Sequence, residues 1–549
     1  MKGSTMIPTA ALPLDAATPY PPLGKKIKAL FVWPKIPNSF WAFTGMLELL
    51  PEKVVMPPLG LITVAALCPP EWTLRLVDEA VEDLTDDDLR WADLVMVGGM
   101  EVQKTGLQNV LARARSFGRR TIVGGPYASS EPARMLKLAD HVVVGEPDEV
   151  FGEIAAELEA GTAKRHYEII DKPDVTHTPV PRFDLLKLNS YASMSIQFSR
   201  GCPFQCEFCD IIILYGRKPR TKLPQQVTAE LDALLKLGWM KQVFIVDDNF
   251  IGNHARALEL CVELEKWQKA HGFPVMFYTE ASMDLAKKTA LVDAMVRANF
   301  FYVFLGIESP STESLQETRK FQNLAVDPVS CIDLLHEKGL WVTGGFIVGF
   351  DSDTDDIFDR QIEFIERTAI PWALLNSLHA MPRTALYERM QKEGRLLEES
   401  EHHSGDTNPP NFRTKLAPAV MLRGQAKTLA AIYEPKAFFA RAWRSMESWK
   451  IKKNQRAARQ PNAAGIAAIV ARSIWHQGVK SSYKRYYWNY LFKILTHYVF
   501  NSPKLWMAAT IMISGHHFIP YSREVVASIE RAAVRVESAQ ELVPVPVGK

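Results

Sequence analysis

The sequence predicts an α/β chain in three parts: a doubly wound parallel sheet, then a partial (β/α)6 barrel, then a mainly helical C-terminal unit. Three observations carry this prediction. Short aliphatic runs alternate with helical text over residues 26–150, more widely spaced runs repeat the pattern over 185–400, and beyond 401 helical text takes over. The 549 residues leave room for several domains of roughly 150 residues, each able to bury its own core.

Residues 1–25, rich in Pro, Thr and Ala, lack the basic start and apolar stretch of a secretory leader and read as a flexible extension. The first sheet, 26–150, is spelled by IKALFVW, TLRLVD, DLVMVGG, RTIVGG and HVVVGE. Turn residues follow these runs in Gly98-Gly99, Gly124-Gly125-Pro126 and Gly145-Glu146-Pro147, and ligands of such sheets sit over the carboxyl ends of the strands. After the first strand the text is Val32-Trp33-Pro34-Lys35 rather than Gly-x-Gly-x-x-Gly, which disfavours a dinucleotide. Residues 151–184, polar and broken by Pro173, Pro179 and Pro181, read as a linker. The barrel rests on SMSIQFS, QVFIVDD, VMFYTEAS, FYVFLGIES, WVTGGFIVGF and ALLNSLHAM, with its chemistry expected at their carboxyl ends.

The 64 Lys and Arg against 62 Asp and Glu leave a charge of +2, so the global balance names no partner. No run of apolar residues is long enough to span a bilayer, although a helix lying in the interface is compatible with the text. Of six cysteines, Cys202, Cys206 and Cys209 fall together as C-x3-C-x2-C directly after a strand. That crowding argues for a metal or redox site in a reducing compartment, with the cytoplasm as the default. Three thiolates can hold three irons of one 4Fe-4S cluster and leave the fourth open to an outside ligand, whereas structural zinc would want a second ligand pair. Cys68, Cys261 and Cys331 stand apart and read as small buried hydrophobes, so one cluster is expected.

With Phe208 just before the last cysteine, this spacing resembles the signature of radical S-adenosylmethionine enzymes. The wider run QFSRGCPFQCEFCDIIILYGRKPRTK, followed by FIVDDNFIGN, FLGIESP and GFIVGFD, resembles the cobalamin-binding subgroup that includes the hopanoid 2-methyltransferases. The resemblance implies that the open iron chelates the amino and carboxylate groups of S-adenosyl-L-methionine. An electron from a donor would then cleave the sulfonium to a 5'-deoxyadenosyl radical, and the first sheet would hold cobalamin. It further implies a C-methyltransferase acting on an unactivated carbon of an apolar or polycyclic small molecule. A cobalamin-assisted radical cyclase or rearrangement enzyme, and a non-catalytic iron-sulfur or corrin-binding scaffold, are the alternatives.

Site residues follow from the strand ends. The resemblance puts Asp247, Asp248 and Asn249 at the methionyl ammonium, a helix cap being the alternative, and gives Glu308 the ribose hydroxyls or the amino group; Glu280 and Ser282, like Glu308 and Ser309, end strands on the same reactive face, with internal salt bridges or caps as the alternatives for the two acids. Backbone from Gly345 to Gly349 is expected to read the adenine, and Arg217 either touches a cofactor or supports the surface. For cobalamin the sequence offers Met100, Gln103, Tyr127, Ser129 and Ser130. It lacks an Asp-x-His-x-x-Gly motif, and His141 reads as the start of a strand, so the lower axial ligand is absent or replaced.

Within 401–549, residues 441–500 hold twelve Lys or Arg against one acidic residue, interleaved with Trp443, Trp449, Trp475, Tyr483, Tyr487, Trp488 and Tyr490. Such a surface suits an anionic membrane and a peripheral placement; a structural cap is the second reading, and nucleic acid is disfavoured. His516-His517 reads as surface polarity. The oligomeric state is left open by the sequence.

Overall fold

The computed structural model describes residues 20–397, 409–457 and 462–541. The expected extension over 1–19 and the polar connection near His402-His403 lie outside the described residues. The chain forms two compact units, the first from residues up to 35 together with 60–185, the second from 36–59 together with 186 onward.

In the first unit six parallel strands, β1 (Lys28–Trp33), β2 (Thr73–Asp78), β3 (Leu94–Gly98), β4 (Arg120–Gly124), β5 (His141–Val144) and β6 (His166–Glu168), lie in the order β2-β1-β3-β4-β5-β6. The order reverses between β1 and β3, the switch point where doubly wound sheets bind ligands. Alternate residues feed two cores: Leu30, Val32, Val95 and Val97 pack on one face, Ala29, Phe31, Leu94 and Met96 on the other. Both faces are therefore covered, which is why the strands read as unbroken aliphatic runs.

Two expectations are corrected here. The segment expected as a linker contains the helix Phe151–Ala160 and β6, which pairs with β5. β6 is a short, polar edge strand, and such edges carry no hydrophobic run to read. The end of the expected N-terminal extension is also tied down. Arg120 lies 4.8 Å over the Tyr20 ring and donates to the Pro21 carbonyl, and the Gly24 N–H donates to Glu159 at 3.1 Å.

In the second unit β7 (Ser193–Ile196) is followed by the short antiparallel pair β8 (Ser199–Arg200) and β9 (Arg220–Thr221). Then come β10 (Gln242–Ile245), β11 (Met276–Ala281), β12 (Phe300–Glu308), β13 (Trp341–Val348) and β14 (Ala373–Ser377). The six long strands are parallel in the order β14-β13-β12-β11-β10-β7, each beside its predecessor, as the partial barrel requires. One face is buried beneath helices. On the other, Phe244, Glu280, Tyr302, Phe304 and Ile347 are only half-buried.

The C-terminal helices Pro418–Ile432, Pro435–Ser448, Ala463–Ser473, Lys484–Tyr498 and Ser502–Glu541 belong to this unit. Part of the basic, aromatic stretch is interior: Arg441 is buried against Glu366 and the Ile370 carbonyl, and Trp449, Tyr483, Tyr487 and Tyr490 are core residues. The histidine pair is not surface polarity. His517 is buried beside Phe40, Phe43 and Tyr521, which pushes its imidazole down to about 4, and His516 contacts Glu48 at 3.4 Å. Among the described residues no helix is long and apolar enough to cross a membrane.

Candidate functional site: a stapled cysteine loop beside buried carboxylates

Cys202, Cys206 and Cys209 occupy the loop that β8 and β9 close by antiparallel pairing. Its entry requires glycine: Gly201 has φ +92, and a Cβ there would stand 2.7 Å from the Gly216 carbonyl oxygen. The Cys202 N–H donates to that same carbonyl at 3.2 Å, and the Cys209 N–H to the Cys206 carbonyl at 3.2 Å. Burial pushes the Cys202 and Cys209 thiols above their ordinary range, so both need a metal or a cation to become thiolates.

The donors around the sulfurs suit an anionic cluster. The Gln322 amide donates to Cys206 Sγ at 3.4 Å and the Asn249 amide to Cys202 Sγ at 3.9 Å. Lys320 pairs with Glu308 and carries its charge close to Cys206 and Cys209. Burial alone would lower that ammonium, but Glu308, followed by the Cys206 thiol, outweighs it and raises Lys320 above the usual lysine range. Among the described residues no three His, Cys, Asp or Glu side chains gather around a single ion. A four-iron cluster asks each thiolate for a different iron.

The three residues after β10 divide the work. Asp247 is buried and accepts from the Phe198 N–H at 2.8 Å and the Ser199 hydroxyl at 2.7 Å, bracing the foot of the cysteine loop. It is therefore not available to an incoming ammonium, which corrects that expectation. Asn249 braces Ser282 through its amide at 3.2 Å, and Ser282 in turn donates to Asp284 at 2.5 Å. None of the three caps the following helix, whose N-cap is Asn253. Asp248 differs from its neighbours: its Oδ2 is buried with no hydrogen-bond partner, and burial, then Asp247, raises the carboxyl to about 7. Glu280 is raised to about 8 by burial, then by Asp248 and Glu308. The Gly201 N–H relieves Asp248 only in part, and a bound cation would supply charge for its unpartnered oxygen and for Glu280.

Glu308 stands at φ +66, where β12 slips register against β13, a conformation held by the Lys320 pair and by Asn323 donating to the Gly306 and Ile307 carbonyls. Ser309 is turned inward, accepting from the Ser311 N–H at 3.1 Å. The two glycines expected at the adenine lie in and just after β13. The Gly349 N–H is given to Asp353 at 2.8 Å, and Gly345 lies inside the strand, flanked by β12 and β14, where a Cβ would meet the Phe304 ring at 2.8 Å. Gly345 thus serves close packing, and the Gly349 N–H is already committed within the turn. Arg217 is exposed and faces Gln205 of its own loop; with the amide oxygen turned toward it, its Nε donates at 3.2 Å. It supports the loop.

Of the residues expected at cobalamin, Gln103 is buried and spends its amide on the Met100 N–H at 3.0 Å and the Pro34 carbonyl at 2.5 Å. Tyr127 is a core residue, and the Ser129 hydroxyl accepts from the Gly145 N–H at 3.0 Å. These three hold the strand-end loops in place, and burial leaves them no face for a corrin. Ser130 is half-buried, while Met100, with Val102, is exposed directly after β3. That apolar ledge at the switch point suits the face of a large flat ligand. His141 starts β5, at the end of the strand away from the ledge, and its Nδ1 contacts the Lys164 carbonyl, so it is not placed as an axial ligand.

Sequence reasoning missed Lys320, Gln322 and Arg389. Arg389 donates to Glu207, between Cys206 and Phe208, at 2.7 Å and to Asp351 at 2.7 Å, tying the cysteine loop to the turn after β13. Burial would raise Asp351, but Arg395 and Arg389 outweigh it and hold the carboxyl below its usual range. Gln322 and Arg389 lie 116 and 182 residues from the cysteine-loop residues they touch, and no local pattern announces such pairs.

The radical SAM superfamily profile matches residues 196–365, and a domain of unknown function, DUF4070, matches 384–531. The chain is 42% identical over 501 residues to an uncharacterized methyltransferase of Synechocystis, covering 91% of this chain and 92% of that protein. It is 33% identical over 506 residues to the hopanoid C-2 methylase of Rhodopseudomonas palustris, covering 90% and 94%. Among solved structures, the cobalamin-dependent S-adenosylmethionine radical enzyme OxsB matches with a TM-score of 0.58 at 15% identity over 95% of this chain and 82% of that one. The radical S-adenosylmethionine methyltransferase TsrM from Kitasatospora setae matches with a TM-score of 0.56 at 13% identity, over 91% and 100%. These two likenesses concern the fold.

Proposed function

The chain belongs to the radical S-adenosylmethionine superfamily and is a methyltransferase of that family, and from this premise we propose that it is cobalamin-dependent and methylates an unactivated carbon of an apolar polycyclic substrate, a hopanoid first among the candidates. The observation that carries the reading is the stapled three-thiol loop beside two half-buried carboxylates, Asp248 and Glu280, whose desolvation and mutual repulsion a bound cation would relieve. When bound, the cluster and S-adenosyl-L-methionine supply a carbon radical, and cobalamin supplies a transferable methyl group.

The chain's own residues have separable tasks. Cys202, Cys206 and Cys209 take three irons, and Gln322 and Asn249 donate to the sulfurs of Cys206 and Cys202. Asp248 and Glu280 accept from the methionyl ammonium, while Asp247, Ser282 and Asn249 keep the loop and strand ends in register. Met100 and Ser130 remain as the corrin contacts. Below the carboxylates Phe244, Tyr278 and Tyr302 stack in a row with centroids 4.6 and 4.4 Å apart, and Trp41 lies 4.8 Å over Phe304. An aromatic wall of this kind suits a fused hydrocarbon and excludes water from a radical. An electron donor completes the system, and the protein works in the cytoplasm, peripherally on an anionic membrane.

The test is anaerobic reconstitution with a hopanoid and methyl-labelled S-adenosyl-L-methionine. The expected product is heavier by one methylene and carries the label. Formation of 5'-deoxyadenosine with a consumed hopanoid but no label transfer would contradict methylation and favour a radical rearrangement.

A further inference from the structure

The helices Ala463–Ser473 and Lys484–Tyr498, with the wider-wound turn Ile474–Lys480 between them, take no part in the chemistry above. They are packed together: the Trp488 indole donates to the Gly478 carbonyl at 2.9 Å, and the Ser473 and Tyr487 hydroxyls meet at 3.0 Å. Helix Lys484–Tyr498 carries two apolar stripes. Tyr487, Tyr490, Ile494 and Tyr498 face the core, while Trp488, Phe492 and Leu495 repeat at the same spacing on the side open to solvent, with Phe492 68% exposed. Helix Ala463–Ser473 reads AAGIAAIVARS and buries only Ser473, leaving Ile466 and Val470 exposed. Phe500 just beyond is fully exposed. A helix apolar on two faces is normally covered on both, and an exposed patch of this kind marks an interaction surface.

Charge decides what covers it. Residues 463–500 contain Arg472, Lys480, Lys484, Arg485 and Lys493 and no Asp or Glu, in a chain with 62 acidic residues. The Lys480 ammonium lies 5.0 Å over the ring of Trp475, itself exposed, so a cation sits directly on the outer aromatic surface. A second copy of the chain would set five cations against five cations. Nucleic acid would find charge and rings, but has no use for exposed Val470, Leu495 and Ile466.

We propose that this hairpin is a monotopic docking surface that inserts its outer apolar side chains into an anionic lipid bilayer, with its lysines and arginines at the headgroup level. It deepens the peripheral placement given above and rests on that part of the reading, and its test reads lipid partition alone, so its failure is distinguishable from a failure of catalysis. Depth of insertion is that of an interfacial helix rather than a span.

The experiment is co-sedimentation of the full chain with vesicles of phosphatidylcholine alone and of phosphatidylcholine mixed with phosphatidylglycerol, together with quenching of tryptophan fluorescence by brominated lipid. The chain is expected to partition onto the mixed vesicles, to be released by salt, and to show quenching. Phe492→Ser with Phe500→Ser lowers the partition coefficient by about tenfold or more. Lys484→Gln with Arg485→Gln lowers it by about thirtyfold, at the gain per cationic residue known for anionic surfaces. An unchanged Tm shows that each variant is folded, and wild-type quenching stands as evidence without any variant. The proposal is overturned if the chain stays in the supernatant with both vesicle types, or if both double variants partition as the wild type does. It is equally overturned if the patch instead mediates self-association or binding of a single-stranded oligonucleotide that the same variants abolish.

Discussion

Asp248 and Glu280 hold their protons to unusually high pH where the proposed reading puts the methionyl ammonium. Burial first, and neighbouring carboxylates second, raise them to about 7 and about 8, from ordinary values of 3.8 and 4.5. Each folded value lies above its unfolded value, so the folded state holds more protons through that window. Their contribution to stability is complete below the ordinary carboxylate range and is lost as pH rises through about 8. Thermal unfolding of the apoprotein is therefore expected to show a Tm that falls across this window, and Glu280→Gln to flatten part of that fall. S-adenosyl-L-methionine brings an ammonium and a sulfonium, which favour the ionised carboxylates. Protons leave on binding, and its apparent affinity, measured by isothermal titration, is expected to rise over the same window in the wild type and less in Glu280→Gln. Aspartates 247 and 248 are indistinguishable in a one-letter string; which one is committed to Phe198 and Ser199 depends on the direction each side chain leaves the strand end.

The cysteine loop is held by struts from other elements, and these carry the stability cost of keeping it in one place. Lys320 and Glu308 are both largely buried and pair with one another. Removing the lysine alone leaves a buried charge uncompensated. Lys320→Met is therefore expected to cost about 3–5 kcal/mol in urea unfolding, and Lys320→Met with Glu308→Leu to recover most of that stability without recovering activity. A double variant as unstable as the single one would contradict the pairing. The cysteine motif was legible because its three thiols and Gly201 lie within nine residues of sequence. Its struts were not, because Gln322 and Arg389 are distant in sequence and meet the loop only through the fold. Strands β1 to β5 could be read from their aliphatic runs, whereas β6, with the pattern HYE at the edge of its sheet, offered no such signal.

At the scale of the whole chain, the segment Ile36–Leu59 falls between β1 and β2 in sequence yet belongs to the second unit. Phe40 stacks on Tyr433 at 5.4 Å and on Phe518 at 6.0 Å, and a Cβ at Gly45 would stand 2.7 Å from the His516 carbonyl oxygen. No periodicity in that segment points to aromatic partners some 400 residues away, which is why it read as part of the first sheet. Phe40→Ala is expected to cost about 3–5 kcal/mol, read as a lowered urea midpoint, because the stack leaves a cavity that cannot close. The proposed activity needs one arrangement above all, in which Cys202, Cys206 and Cys209 take a cluster with an open iron beside Asp248 and Glu280. The most direct measurement is reductive cleavage of S-adenosyl-L-methionine by the anaerobically reconstituted chain, compared with Cys206→Ala. The account predicts 5'-deoxyadenosine from the wild type and none above background from the variant; equal yields from the two, or a wild type that binds four irons yet cleaves nothing, would contradict it.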